Sequence, residues 1–131
     1  MPEALGAIAK RHGIRLVLQF GSSVTGKDHA RSDVDIAVLL EQPTLFPAEY
    51  AELLHELQRH FPDRKVDLAL LNHADPLFLK KIIEYCEILY GPVEELHKLK
   101  IYAFKRYQDH RRYFEMERRF VDRFLADRRR A

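Results

Sequence analysis

The sequence predicts an α/β domain, a small mixed β-sheet with flanking helices and a C-terminal helical tail. Three observations carry that expectation. Arg15–Phe20, Val34–Leu40 and Val66–Leu71 are apolar runs of strand length, rich in Leu, Val and Ile. Segments with apolar residues at three- and four-residue steps stand between and after them. Glycines and prolines punctuate the joins.

Taken in order, Glu3 to Lys10 reads as a short helix ended by Gly13, which suits a left-handed cap. The first strand places Leu16, Leu18 and Phe20 on one face. Gly21 to Gly26 reads as a turn, and Lys27 to Ser32 as a polar loop. After the second strand, Pro43 and Pro47 mark a loop, and Ala48 to His60 reads as a helix through Tyr50, Leu53, Leu54 and Leu57. The third strand follows, then a helix over Pro76 to Glu84 and a strand-like piece, Glu87 to Tyr90, stopped by Gly91 and Pro92. One or two helices occupy the remainder, with Leu96, Leu99, Ala103, Tyr107, Phe114, Val121 and Phe124 as an apolar stripe. This divides one structural domain into a core, 1–92, and a basic helical tail, 93–131, that packs on the core or docks a partner.

A length of 131 residues suits one domain, and 47% apolar with 32% charged residues excludes a disordered chain. The net charge of +2 hides an asymmetry. Residues 93–131 carry 12 Lys and Arg against 7 Asp and Glu, a balance of +5, which leaves −3 on the core. A basic tail suits a polyanion or an acidic protein surface. Its aromatics interleave with arginines, but a helix of this kind more often packs its aromatic stripe than binds RNA, so direct nucleic-acid binding is not expected. No apolar run approaches the roughly 20 residues of a membrane span, and no signal peptide is evident, so the cytoplasm is expected. Cys86 is the single cysteine and reads as a packing residue, with no disulfide or cysteine metal site to build. The seven histidines read as surface residues, since His55 and His60 share no helix face and no His-Glu-x-x-His pattern exists.

Side chains alternate across a strand, so Asp33, Asp35 and Ala37 share one face while Val34, Ile36 and Val38 take the core face. Likewise Val66, Leu68 and Leu70 leave Asp67 and Ala69 opposite. If these strands are neighbours, three carboxylates gather, with Ala37 and Ala69 small enough to leave ligand space above them. Such a cluster repels itself unless a cation intervenes, and hard oxygen ligands select magnesium or manganese. Gly21-Ser22 directly follows a strand, where glycine permits close backbone approach to a phosphate and serine adds a hydroxyl.

Gly21-Ser22, ten residues, then Asp33-Val34-Asp35, with Asp67 on a later strand, resembles the signature of the DNA polymerase beta-type nucleotidyltransferase superfamily. Within it the chain resembles the minimal nucleotidyltransferases, and in particular the MntA-type antitoxins of HepT–MntA toxin–antitoxin systems. The catalytic similarity covers about residues 14–90, and the tail is similar more loosely. The resemblance implies a nucleotidyltransferase fold and a magnesium-dependent protein adenylyltransferase. Its activity would be transfer of AMP from ATP to a tyrosine of a partner HEPN-type ribonuclease toxin, silencing it within a hetero-oligomer. Asp33, Asp35 and Asp67 would be the catalytic metal ligands, with Asp67 also the base, and Gly21, Ser22 and Ser32 would bind the nucleotide. Ser23 departs from the family pattern, which often has arginine there; either Lys27 or Arg31 would supply the charge, or phosphate binding would be weaker. Two rivals stay open: transfer to a small molecule such as an aminoglycoside, and a non-catalytic antitoxin that acts by steric binding.

Overall fold

Alternating apolar side chains create a sheet with two hydrophobic faces, and helices cover both. The computed structural model describes residues 2–25 and 33–130. In chain order the elements are α1 (Pro2–His12), β1 (Ile14–Phe20), α2 (Ser22–Thr25), β2 (Val34–Leu40), α3 (Pro47–His60), β3 (Val66–Leu70), α4 (Pro76–Glu84), β4 (Cys86–Tyr90) and α5 (Val93–Arg130). The spatial strand order is β3-β2-β1-β4. Strand β1 runs antiparallel to β2 and β4, whereas β2 and β3 are parallel, joined by the α3 crossover. The expected mixed sheet, flanking helices and helical tail are all present.

One layer packs Val17, Ile36, Val38 and Leu68 against Leu5 and Ile8 of α1 and Leu53 and Leu57 of α3. The opposite layer packs Leu16, Leu18, Phe20 and Ala37 against Leu79 and Ile82 of α4 and Leu96, Leu99 and Ala103 of α5. Burying each large aliphatic side chain contributes about 1.5–3 kcal/mol, so both layers matter to stability. The space expected above Ala37 and Ala69 is therefore not open. Ala37 is fully buried in the second cluster and Ala69 packs against it, because the apolar sheet face requires cover there too.

Side-chain amides join the elements where backbone pairing stops. Gln58 Nε2 donates to the carbonyls of Phe61 and Arg64, and its Oε1 accepts from Val66 N at 2.9 Å. This pins the end of α3 to the start of β3. Asn72 does the same at the other end of the sheet, accepting from Leu40 N at 2.9 Å and donating to Leu40 O at 2.8 Å. Gly13 has φ +63°, as its expected cap role requires.

The histidine reading needs one correction. His12 Nε2 donates to Glu56 Oε2 at 2.8 Å, Arg11 reaches Glu56 Oε1 at 2.9 Å, and the His12 side chain is only 8% exposed. These contacts tie α1 to α3 across 44 residues of sequence, a separation no local pattern reveals. Burial pushes the Glu56 carboxyl up, but hydrogen bonds from His12 and Arg11 outweigh it and hold the group below its ordinary value. A carboxyl held low in the fold stabilises above its unfolded pKa and loses that contribution as pH falls through the folded one. Glu56→Gln is thus expected to lower the thermal midpoint at about pH 7 and to match the native chain at about pH 3. A gap that stays constant with pH would contradict this account.

The tail is one continuous helix. Leu96, Leu99 and Ala103 bury its first turns on the sheet, and Lys80 Nζ lies 4.8 Å from the Tyr107 ring centroid. Beyond that point Tyr113, Met116, Phe120, Val121, Phe124 and Leu125 are exposed. Among the described residues, no helix is long and apolar enough to cross a membrane.

Candidate active site

The site is assembled by the parallel pair β2–β3. In that register Asp35 stands directly opposite Asp67, and Ala37 opposite Ala69. Val34 N donates to Lys65 O at 2.8 Å, closing the ladder at the end where the carboxylates lie. Asp33 immediately precedes β2. Asp33 and Asp67 are exposed and Asp35 is half-buried, so the cluster opens to the surface. Its carboxylates occupy the sheet face shared with α4 and α5, while Val34 and Ile36 point to the α1–α3 layer, as alternation requires.

The glycine turn meets the same point. Phe20, the last residue of β1, pairs with Asp35, and Gly21 follows with φ +78°. A Cβ at Gly21 would fall 2.5 Å from Asp35 Oδ2. Only glycine combines that backbone conformation with that proximity. Ser22 opens α2, whose turn is closed by Val24 N donating to Gly21 O at 3.1 Å. Within the stretch expected as a turn, Ser22–Thr25 thus form a single helical turn, and Gly26 lies outside the described residues. Ser32, Lys27 and Arg31 lie outside the described residues.

Burial is the largest influence on the Asp35 carboxyl and raises its pKa, and the charges of Asp67 and Asp33 raise it further. Lys81 on α4 opposes them. Sequence reasoning did not single out Lys81, which lies far from the aspartates in sequence. Its place follows from α4, whose start is set by Asp75 Oδ1 accepting from Leu77 N at 2.9 Å, with Pro76 in the first turn. Gln58 is the other omission, since it holds Val66 beside Asp67.

Three hard oxygen ligands that repel one another suit a divalent cation of the magnesium type. The three carboxylates do not all bring oxygens within 4.8 Å of one another; among the described residues the donors of His12, Glu52 and Glu56 do. That second group sits between α1 and α3, and its Glu56 is already engaged by Arg11 and His12. It also lacks the glycine turn beside Asp35.

The model of the polymerase beta nucleotidyltransferase family matches residues 3–95. The chain belongs to that family. No curated protein shows significant sequence similarity to it. Several solved structures share its fold. A toxin–antitoxin structure with AMP-PNP is 24% identical at a TM-score of 0.72, covering 95% of this chain and 98% of the other. A structure of the toxin–antitoxin MntA–HepT is 21% identical at a TM-score of 0.66, covering 95% and 96%. A tri-AMPylated Shewanella oneidensis HEPN toxin in complex with MNT antitoxin gives 21% and 0.66, covering 95% of each chain. The match spans the length of this nucleotidyltransferase, α5 included, so the long tail helix is part of the shared architecture.

Proposed function

We propose that this chain is the antitoxin of a toxin–antitoxin pair and a protein adenylyltransferase, transferring AMP from ATP to a tyrosine hydroxyl of a HEPN-type ribonuclease and so neutralising it in the cytoplasm. The observation that carries the reading is the direct pairing of Asp35 with Asp67 beside Gly21 in a nucleotidyltransferase-family chain. The similar structures support it, since they include toxin–antitoxin complexes, one with AMP-PNP and one with an AMPylated toxin.

In this reading Asp33, Asp35 and Asp67 hold magnesium, or manganese in its place. When bound, the metal neutralises charge on the transferring phosphate. Gly21 and Ser22, with Ser32, receive the triphosphate through backbone and hydroxyl donors. The tyrosine oxygen attacks the α-phosphorus, a new phosphorus–oxygen bond forms, and the bond to pyrophosphate breaks. Asp67, exposed at the edge of the site, accepts the tyrosine proton.

The far half of α5 docks the partner. A solitary helix gains little stability in water, and this one carries exposed Tyr113, Phe120, Val121 and Phe124 beyond its contact with the core. Phe120→Glu with Phe124→Glu is expected to weaken capture of the co-expressed HEPN protein at least about tenfold, while shifting the thermal midpoint of the isolated chain by under about 2 °C. Undiminished capture would place the interface elsewhere.

The deciding experiment incubates the chain with ATP, magnesium and its HEPN partner, then reads the partner's intact mass. One or more additions of AMP to a tyrosine are expected. Tight binding and neutralisation without any mass change would instead favour a steric antitoxin, as would neutralisation by an Asp33→Ala, Asp35→Ala chain.

A further inference from the structure

The aspartates occupy one side of the site, and the structure shows what stands on the other. Helix α4 directs Leu79 and Ile82 into the core, which leaves Phe78 and Lys81, three apart and on a common face, on its exposed side. Phe78 packs edge-on against Phe20 with ring centroids 6.0 Å apart. Phe20 is the ladder partner of Asp35 and the neighbour of Gly21. The exposed face of α4 therefore borders the glycine turn and the carboxylates. One turn from that contact is Lys81, whose charge is felt at Asp35.

Lys81 differs from the lysine beside it. Lys80 is engaged over the Tyr107 ring of α5. Lys81 is exposed, and among the described residues it makes no hydrogen bond or ion pair of its own. On the face of α4 that borders the site through the Phe78–Phe20 contact, a long cationic side chain is thus not spent on any fixed partner among the described residues. A bound nucleoside triphosphate brings about four negative charges, which two divalent cations offset roughly while three carboxylates remain. An ammonium group there serves the terminal phosphates, and a lysine does so as a mobile point charge.

We propose that Lys81 binds the β- and γ-phosphates of the nucleotide and steadies the departing pyrophosphate. This deepens the adenylyltransferase reading and rests on it. The assignment concerns phosphate binding and pyrophosphate departure; proton transfer stays with Asp67.

The test measures calorimetric affinity for AMP-PNP with magnesium in the native chain and in Lys81→Ala, Lys81→Arg and Lys80→Ala. Lys81→Ala is expected to weaken AMP-PNP roughly tenfold or more, and Lys81→Arg to restore most of the affinity. Lys80→Ala removes the same charge one residue away, and its affinity is expected to stay within about twofold of native. Thermal midpoints of the two Lys81 variants should remain close to native, because Lys81 holds no other element in place. In the transfer assay Lys81→Ala should raise KM for ATP and lower kcat together, as expected for a contact kept through pyrophosphate departure. Equal AMP-PNP affinity in native and Lys81→Ala chains would overturn the assignment alone. Equal losses in Lys80→Ala and Lys81→Ala would also overturn it, by reducing the effect to general charge. A native chain that binds no triphosphate would overturn the adenylyltransferase reading itself.

Discussion

Asp35→Asn is expected to lower AMP transfer about a thousandfold while leaving the fold and the partner contact intact. In the proposed mechanism, metal-assisted charge neutralisation would remove several kcal/mol from the barrier, and each 1.4 kcal/mol or so is a factor of ten in rate. Asp35 lies opposite Asp67 and against Gly21, so its loss would disrupt the whole proposed ligand set. Asparagine has nearly the same shape, and Asp35 is only half-buried, so packing is not the cause of any loss. Replacement also relieves the repulsion among Asp33, Asp35 and Asp67, and the variant should be no less stable than native to urea. Transfer at a near-native rate by both Asp35→Asn and Asp67→Asn would sink the proposed chemistry.

Gly21→Ala should come next in size, and by a different route. At φ +78° an L-residue loses about 1–2 kcal/mol relative to glycine. The added methyl would also sit 2.5 Å from Asp35 Oδ2, so either the turn or the carboxylate must move. A displacement of about 1 Å in a catalytic group can cost a hundredfold in rate. The expected result is a transfer rate reduced about a hundredfold, together with a measurable drop in the urea midpoint. Gly13→Ala offers the control. Its φ is similarly positive, but its new Cβ would meet only Glu41 Oε2, at 3.8 Å. Stability should fall there without a matching loss of transfer. If both variants lose activity alike, the close approach to Asp35 is not the reason for Gly21.

Much of the fold was legible because its signals are local. Val34-Asp-Ile-Ala-Val-Leu and Val66-Asp-Leu-Ala-Leu-Leu alternate at the strand period, and that alone places the aspartates on one face and the valines on the other. The helix ends followed from Gly13, Pro47 and Pro76 for similarly local reasons. Less legible was the cover on each face. Ala37 was expected under open space and lies instead within the α4–α5 layer, since a small side chain is equally suited to ligand room and to close packing. Cys86 shows a milder version of the same limit. It was expected to be a buried packing residue and lies half-buried at the start of β4, packed against the second cluster, with burial pushing its thiol pKa up.

By itself, the sequence determined the α/β class, the strands that carry Asp35 and Asp67, with Asp33 just before the first of them, the glycine turn at Gly21-Ser22 and the unequal charge of core and tail. These are properties of neighbouring residues, and alternation, helix period and turn chemistry act over a few positions of chain. Only the tertiary structure decided that β2 and β3 are adjacent and in register, so that Asp35 meets Asp67. It also decided that α4 sets Lys81 where its charge acts on Asp35, that His12 and Arg11 hold Glu56, and that α5 runs on beyond the core with apolar side chains exposed. Each of those joins residues far apart in sequence or depends on where a helix leaves the core, and only packing of the whole chain sets such relations.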